Sequence, residues 1–170
     1  AYRQVPVPPA EHPFLGITWR GQFYYDTVLP MGGRSACATF QRISDLLVAV
    51  FHFIRRDACT CNLLDDFIFF GPADSPACGE DLHVFLQLCR LINIPMNESK
   101  LVRPATCVTV FGLEFDSDAM VIRLPQDKRE KMLRQVDNFL SRSSASKKEI
   151  QSLAGLLNYA VVAIPAGGVF

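Results

Sequence analysis

The sequence predicts an α+β fold, in which an antiparallel sheet has helices packed on one face. Segments rich in strand-forming residues come in pairs, and single amphipathic helices separate the pairs. With 170 residues, the chain is long enough for one domain with a hydrophobic core. A composition with 49% apolar and 20% charged residues is typical of a folded chain and argues against disorder.

The first predicted elements are a hairpin and a long helix. Residues 5–13 carry four prolines, which excludes both a helix and a central strand. Residues 14–28 predict a hairpin, because FLGITW and QFYYDTV favour strands and Arg20-Gly21 supplies the turn. Residues 35–56 predict an amphipathic helix, with apolar residues at intervals of three and four.

A second hairpin is predicted at 60–64 and 67–70, with two adjacent acids at its tight turn. A helix over 79–93 follows and stops before Pro95. Residues 107–115 predict one strand, and MVIRL predicts a short strand after it.

The chain closes with two predicted helices that we expect to form a separate small helical region. The first begins at Pro125 and runs to about residue 141. Ser146 and Glu149 have the spacing of a capping box at the start of the second. The predicted domains are therefore 1–124 for the sheet and its helices, and 125–170 for the helical region.

The sequence also bears on localisation and on metal binding by cysteine. No apolar run reaches the roughly 20 residues of a membrane span, and residues 1–13 do not resemble a signal peptide. We therefore expect an intracellular protein, cytoplasmic or nuclear and not secreted. Because the chain begins with alanine, we expect it to be a piece of a longer protein. The six cysteines have no zinc-site spacing and are interpreted as reduced thiols.

The charges are segregated although they sum to zero. Residues 57–81 hold six acids and no Lys or Arg, whereas residues 127–148 hold seven basic residues against three acids. Such a layout suits cations in one place and phosphates in another, although two unrelated solvated faces would give the same pattern.

The acids of the second hairpin, Asp65 and Asp66, lie between apolar segments. Two adjacent carboxylates stay ionised when cations neutralise them, and Mg²⁺ is typically held by one or two carboxylates together with substrate phosphates. A polar hairpin tip exposed to water is the alternative, and a bare Asp-Asp pair does not decide between them.

An ordered set of motifs resembles the palm and thumb of a reverse transcriptase. FYYDTVLPMGGRSACATF and LLDDFIFFGP resemble the palm, INIPMNESK and TVFGLEFD resemble the lysine-bearing loop and primer-gripping hairpin, and ASKKEIQSLAGLLNYAVVAIPAG resembles the thumb. The Arg-Ser-Ala loop, the Leu-Asp-Asp-Phe turn and the thumb motif are most similar to tyrosine-recombinase retrotransposons of the DIRS or Ngaro kind. The resemblance implies a partial palm over 1–124 and a thumb-like region over 125–170.

The resemblance also implies roles for individual residues. Asp65 and Asp66 match the catalytic, metal-binding acids, with Mg²⁺ as cofactor and Mn²⁺ as a possible substitute. Tyr2 matches the aromatic gate below the nucleotide sugar, and Lys100 matches the lysine near the triphosphate; a core tyrosine and an exposed lysine are the simpler readings. The other implied nucleotide-binding residues are Arg3, Gly32, Arg34 and Ser35. The implied primer- and template-binding residues are Phe111, Gly112, Leu113, Lys128, Arg129 and Lys131, although 111–113 could equally be a core strand.

Three departures from the family pattern bear on activity. The family's first catalytic Asp is expected about four residues before Ala1, outside this sequence. Leu63 stands where the family usually has tyrosine, and Cys37 where it usually has proline. We expect the isolated chain to be inactive.

Two hypotheses follow. The first is a fragment of an RNA-directed DNA polymerase, with an RNA template, a DNA primer and deoxynucleoside triphosphates as partners. The second is a palm-fold remnant without chemistry that serves as a binding or assembly module. An unrelated metal-dependent phosphotransferase would have to reproduce the ordered motifs by chance. The sequence does not indicate the oligomeric state, the host or a following RNase H domain.

Overall fold

A computed structural model describes residues 2–164 of the chain. Ala1 and residues 165–170, which include the end of the predicted thumb-like region, lie outside the described residues. Short 3₁₀ turns lie at Tyr2–Gln4, Pro9–Leu15 and Glu98–Lys100. The helices are α1 (Ala36–Ile54), α2 (Ala77–Leu91), α3 (Gln126–Leu140) and α4 (Lys147–Ala160). The strands are β1 (Gly16–Trp19), β2 (Gln22–Tyr25), β3 (Cys59–Leu63), β4 (Asp66–Phe70), β5 (Cys107–Val110), β6 (Leu113–Asp116) and β7 (Val121–Arg123).

The α+β class is confirmed, and the strands form three small antiparallel sheets: β1–β2, β3–β4 and β5–β6–β7. The chain divides into two compact units, one ending at Leu101 and the other beginning at Val102. The expected palm and thumb, 1–124 and 125–170, are a division by function and stay a prediction.

The first unit has an aromatic core under the β3–β4 hairpin. Phe51 of α1 and Phe85 of α2 are fully buried, with ring centroids 5.6 Å apart in an edge-on arrangement. Phe67 and Phe69 of β4 pack against Phe85 with centroids 4.7 and 5.2 Å away. Alternation along β4 thus directs every second side chain onto the two helices and fixes the hairpin to them.

An ion pair at the end of α1 also stabilises the first unit. Asp81 of α2 is buried, and its Oδ1 accepts a hydrogen bond of 2.7 Å from Nε of Arg55, the residue after α1. A buried carboxylate without a partner would be strongly destabilising, so this pair connects the end of α1 to α2.

A second apolar cluster in this unit lies beside the start of α1. Val7, Leu29, Ala36 and Phe40 are buried, and Leu64 packs against them. The segment around Val7 is fixed by backbone hydrogen bonds from Val7 N to Thr27 O and from Leu29 N to Val5 O.

The second unit packs α3 and α4 on the β5–β6–β7 sheet. Its core contains Leu113 of β6, Leu124, Met132 of α3 and Ala160 of α4. The predicted capping box of α4 is present, with Ser146 Oγ accepting from Glu149 N and Ser146 N donating to the Glu149 carboxylate. The hydrogen bonds that Ser146 N, Ser146 Oγ and Arg142 donate to the Glu149 carboxylate lower its pKa to about 2.

Most element predictions hold, and three differ from the structure. The proline-rich segment was expected to exclude a helix, but Pro9–Leu15 forms a 3₁₀ helix. Residues 107–115 were expected to be a single strand, but they form a hairpin, because Phe111 and Gly112 both adopt positive φ and reverse the chain. In the acidic hairpin, the two turn residues are Leu64 and Asp65, and Asp66 is already the first residue of β4.

Helix α1 has the length and mean hydropathy that a membrane span requires. Core helices can have the same length and hydropathy, and α1 buries Phe40, Leu47 and Phe51 in the two clusters of the first unit.

Candidate active site

The acidic pair lies at the tip of the β3–β4 hairpin. Leu63 and Asp66 are the last paired residues, so Leu64 and Asp65 form a two-residue turn. Both carboxylates are exposed, and no side chain within residues 2–164 forms a hydrogen bond or ion pair with either. The turn therefore presents two neighbouring negative charges to solvent from a firmly supported hairpin.

Leu64 adopts an unusual backbone conformation with φ 53°. A positive φ at the first turn residue only is the pattern of a type II′ turn, in which glycine is usual because a side chain is strained there. The leucine side chain compensates by packing against the cluster around Ala36 and Phe40. This packing fixes the direction in which Asp65 leaves the turn.

Side chains of α1 hold the acidic turn. The Leu64 amide donates a hydrogen bond of 2.7 Å to Gln41 Oε1, and Gln41 Nε2 donates one of 2.7 Å to Asp45 Oδ1. Asn62 of β3 donates to the same Asp45 oxygen over 3.0 Å. The hydrogen bonds from Asn62 and Gln41 lower the pKa of Asp45, because they favour its charged form. We call Gln41, Asp45 and Asn62 the turn brace.

Tyr2 lies close to the acidic turn. Its ring packs on Phe40 with centroids 5.1 Å apart, and both Tyr2 and Leu64 contact the same apolar cluster. The hydroxyl donates a hydrogen bond of 3.2 Å to Cys37 Sγ of α1. That hydrogen bond is the main cause that raises the pKa of Tyr2, and the Asp65 charge acts in the same direction. The structure thus brings Tyr2 and Asp65 together.

The other implied nucleotide-binding residues are placed differently. Gly32, with φ 88°, and the exposed Arg34 and Ser35 form the loop that leads into α1. Arg3 forms an ion pair of 2.9 Å with Asp26. Lys100 is exposed at the end of a 3₁₀ turn, and no hydrogen bond in the described part of the chain joins it to the acidic turn.

The second unit contains the turn Phe111-Gly112, between β5 and β6. Both residues have positive φ, 51° and 78°, which is the pattern of a type I′ turn. Phe111 is 40% exposed, whereas Leu113, the first residue after the turn, is buried in the core of this unit. The three residues implied to contact the primer therefore include one that faces solvent and one that supports the turn.

The three basic residues implied for α3 fall into two groups. Arg129 and Lys131 are exposed, and within residues 2–164 neither has an ion-pair partner. Lys128 is half-buried, and its ammonium donates to the Gly112 carbonyl over 3.1 Å.

A divalent metal fits the acidic turn only in part. Carboxylate oxygens are the ligands that Mg²⁺ prefers, and Asp65 and Asp66 offer them side by side. Within the described residues, however, no group of three His, Cys, Asp or Glu side chains is placed to hold a metal ion. The turn supplies carboxylates of the right chemistry and leaves further coordination to other groups.

Three solved structures have a similar fold. The foamy viral protease-reverse transcriptase in complex with an RNA/DNA hybrid matches with a TM-score of 0.67, at 20% sequence identity and over 91% of this chain. The fold is that of a reverse transcriptase. Two structures of the same viral protein with double-stranded DNA, one of them a dRH form, match with TM-scores of 0.64 at 19% identity, again over 91% of this chain. The chain spans only 19%, 25% and 29% of these three chains, in the order given. No protein-family model and no curated protein matches the sequence.

In this reverse transcriptase-like fold, the sequence analysis missed the residues that support the two turns. Gln41 and Asp45 are four residues apart on α1, the spacing at which side chains meet on one helix face. This polar pair could have indicated the support of the acidic turn, because the helix was expected to pack on the sheet that contains the turn. Asn62 could be added only from the strand pairing, and Tyr159 was predicted only as part of the motif that resembles the thumb.

Proposed function

We propose that the chain is part of an RNA-directed DNA polymerase, which transfers nucleotides to a primer 3′-hydroxyl by a two-metal reaction. The observation that carries this proposal is the pair of exposed carboxylates on a braced turn, within a fold like that of a reverse transcriptase. An ordinary solvent-exposed hairpin tip has no need of a strained leucine that is held by a helix side chain.

In the proposed reaction, Asp65 and Asp66 hold Mg²⁺, for which Mn²⁺ can substitute. An ion held by these two carboxylates would lower the pKa of the attacking hydroxyl and would neutralise charge on the phosphates. The brace keeps the carboxylates in place before substrate arrives, which is the kind of preorganisation that electrostatic catalysis requires.

The other residues bind and orient substrate in this proposal. Tyr2, beside Asp65, forms the floor under the nucleotide sugar, and the loop with Gly32, Arg34 and Ser35 binds nucleotide and template. In this proposal Lys100 binds the triphosphate, and Arg3 exchanges its ion pair with Asp26 for the nucleotide. Phe111 presents the primer terminus, and Arg129 and Lys131 bind phosphates of the duplex.

The proposed parent is a retrotransposon polyprotein of the tyrosine-recombinase (DIRS/Ngaro-like) kind, acting in the cytoplasm or nucleus. The partners would be an RNA template, a DNA primer and deoxynucleoside triphosphates. In this view residues 1–124 are a partial palm and residues 125–170 a thumb-like region. The family's first catalytic Asp would be supplied by sequence before Ala1, so the isolated chain would not extend a primer.

The alternative is a palm-fold remnant that binds or assembles without catalysis. Two observations favour it: the described residues contain no group of three metal-binding side chains, and Leu63 stands where the family usually has tyrosine.

Primer extension on an RNA template distinguishes the two functions. The chain is compared with a form extended upstream through the expected aspartate, in Mg²⁺ and then in Mn²⁺. We expect extension only by the longer form, and we expect Asp65→Asn to abolish it. Asp74→Asn makes the same carboxylate-to-amide change at an exposed loop position of the first unit and should leave extension unchanged.

Two results would contradict the polymerase. One is a lack of extension by both forms although circular dichroism shows them folded, and this would favour the remnant. The other is extension that survives Asp65→Asn, which would move the chemistry away from the acidic turn.

A further inference from the structure

Two helix side chains form hydrogen bonds with the backbone carbonyls of the Phe111-Gly112 turn. Tyr159 of α4 donates its hydroxyl proton to the Phe111 carbonyl over 3.0 Å, and the Lys128 ammonium of α3 donates to the Gly112 carbonyl over 3.1 Å. Consecutive carbonyls of one turn are thus each bound by a different helix.

The two donor groups also contact each other. Lys128 Nζ lies 3.5 Å from the Tyr159 hydroxyl oxygen and 5.4 Å from the centre of the Tyr159 ring. A cation at that distance from an aromatic ring is attracted to it, which favours one arrangement of the long lysine side chain. We call Lys128 and Tyr159 the turn clasp.

The clasp occupies the space that a side chain at Gly112 would need. A Cβ added to Gly112 would collide with Lys128 Nζ and would lie 2.6 Å from the Tyr159 hydroxyl oxygen. The φ of 78° favours glycine, and a methyl group at this position would displace the ends of the Lys128 and Tyr159 side chains from the turn.

We propose that Lys128 and Tyr159 are positioning residues, which hold the Phe111-Gly112 turn so that Phe111 faces outward in a fixed orientation. Because the Lys128 ammonium binds the Gly112 carbonyl, Lys128 does not bind duplex phosphate. The exposed Arg129 and Lys131 have that role. That Phe111 contacts a primer depends on the proposed function. The clasp itself does not depend on it.

The first test uses the chain alone and needs no nucleic acid. Amide hydrogen exchange at Val110 and Leu113, the last pair of the β5–β6 hairpin, is measured for the parent chain, Lys128→Met and Tyr159→Phe. Removal of either hydrogen bond should speed exchange at these amides roughly five- to tenfold. Arg129→Met, the same kind of change at the next position of α3, should leave their exchange unchanged. Equal exchange in all four proteins would overturn the clasp.

The second test separates positioning from phosphate binding. Affinity for an RNA–DNA hybrid is measured over a range of salt concentrations, because each lost phosphate contact reduces the slope of log affinity against log salt by roughly one. Arg129→Met or Lys131→Met should reduce the slope, and Lys128→Met should keep it. A slope reduced by Lys128→Met would overturn the positioning role. If no variant binds the hybrid, the proposed function fails for this unit, and hydrogen exchange still decides the clasp.

Discussion

The two turns, Leu64-Asp65 in the first unit and Phe111-Gly112 in the second, are supported in opposite ways. In the first, a helix side chain accepts a hydrogen bond from the turn amide of Leu64. In the second, helix side chains donate hydrogen bonds to the turn carbonyls. Both turns contain a non-glycine residue with positive φ, Leu64 at 53° and Phe111 at 51°.

The two turns also differ in what they present to solvent. The brace of the acidic turn is neutral where it touches the backbone, and it leaves both carboxylates to the solvent. The clasp of the second turn carries a positive charge, and it fixes the backbone from which Phe111 projects. The first turn thus presents charged side chains, and the second presents a backbone position and one ring.

A third turn serves as the reference without support. Arg20-Gly21 joins β1 and β2 with φ values of 51° and 77°, nearly those of Phe111-Gly112. Nothing lies within 4 Å of a Cβ added at Gly21. The same backbone shape therefore occurs with and without a clasp in one chain, and this provides matched controls.

The largest expected effect comes from removal of the core beneath the acidic turn. Phe85→Ala should lower the free energy of unfolding by about 3–5 kcal/mol, because Phe85 is 1% exposed and contacts Phe51, Phe67 and Phe69. Phe53→Ala, at a position that is 79% exposed, should change it by less than about 0.5 kcal/mol. Urea unfolding measures both, and similar losses would contradict the packing described for this hairpin.

The second effect compares the clasped turn with the reference turn. Gly21→Ala should cost about 1–2 kcal/mol from the left-handed backbone alone. Gly112→Ala should cost about 2–4 kcal/mol, because the new methyl group also displaces Lys128 and Tyr159 from the turn carbonyls. Urea unfolding of the two variants gives the difference, and a larger loss for Gly21→Ala would contradict a clasp that fits only glycine.

The third effect concerns the brace. Gln41→Met keeps the length of the side chain but removes the acceptor of the Leu64 amide, and it should destabilise the chain by about 1–3 kcal/mol. Gln135→Met, on the exposed surface of α3, should stay within about 0.5 kcal/mol of the parent. Thermal unfolding measures the stability of both variants. Equal destabilisation by Gln41→Met and Gln135→Met would show that the turn does not depend on Gln41.

The smallest effect is a pH dependence confined to the brace. The folded pKa of Asp45 lies below its ordinary value of 3.8, so the stabilisation it gives is complete above that value and is lost as the pH falls through the folded pKa. The stability difference between the parent chain and Asp45→Ala should therefore shrink as the pH is lowered below 3.8. Asp57→Ala, at an exposed position, is the comparison, and a difference that stays constant for Asp45 would contradict the hydrogen-bonded carboxylate.

Local sequence signals predicted most elements of the fold. The helix expected over 35–56 is Ala36–Ile54, and the capping box at Ser146 and Glu149 is present. The segment 107–115 was predicted wrongly because apolar residues flank Phe111-Gly112 on both sides, which hides a turn inside a strand-like run. The division of the strands into three sheets depends on contacts between distant segments, which periodicity does not contain.

The candidate site was predictable to the extent that its residues are adjacent in sequence. Asp65 and Asp66 are neighbours and attract attention as a pair. The brace connects positions 41, 45 and 62, and the clasp connects positions 128 and 159 with 111 and 112, so both arise only when the chain folds. The charge of Lys128 suggested a phosphate contact because sequence alone does not show that a carbonyl lies within its reach.

The central claim, that the acidic turn holds a divalent metal, is tested most directly by adding Mn²⁺ to the isotopically labelled chain and recording amide signals by NMR. The paramagnetic ion broadens the signals of nearby nuclei. The account predicts broadening first at Leu64, Asp65, Asp66 and Tyr2, and its loss in the Asp65→Asn/Asp66→Asn variant. Broadening centred on another acidic segment, or retained in that variant, would contradict it.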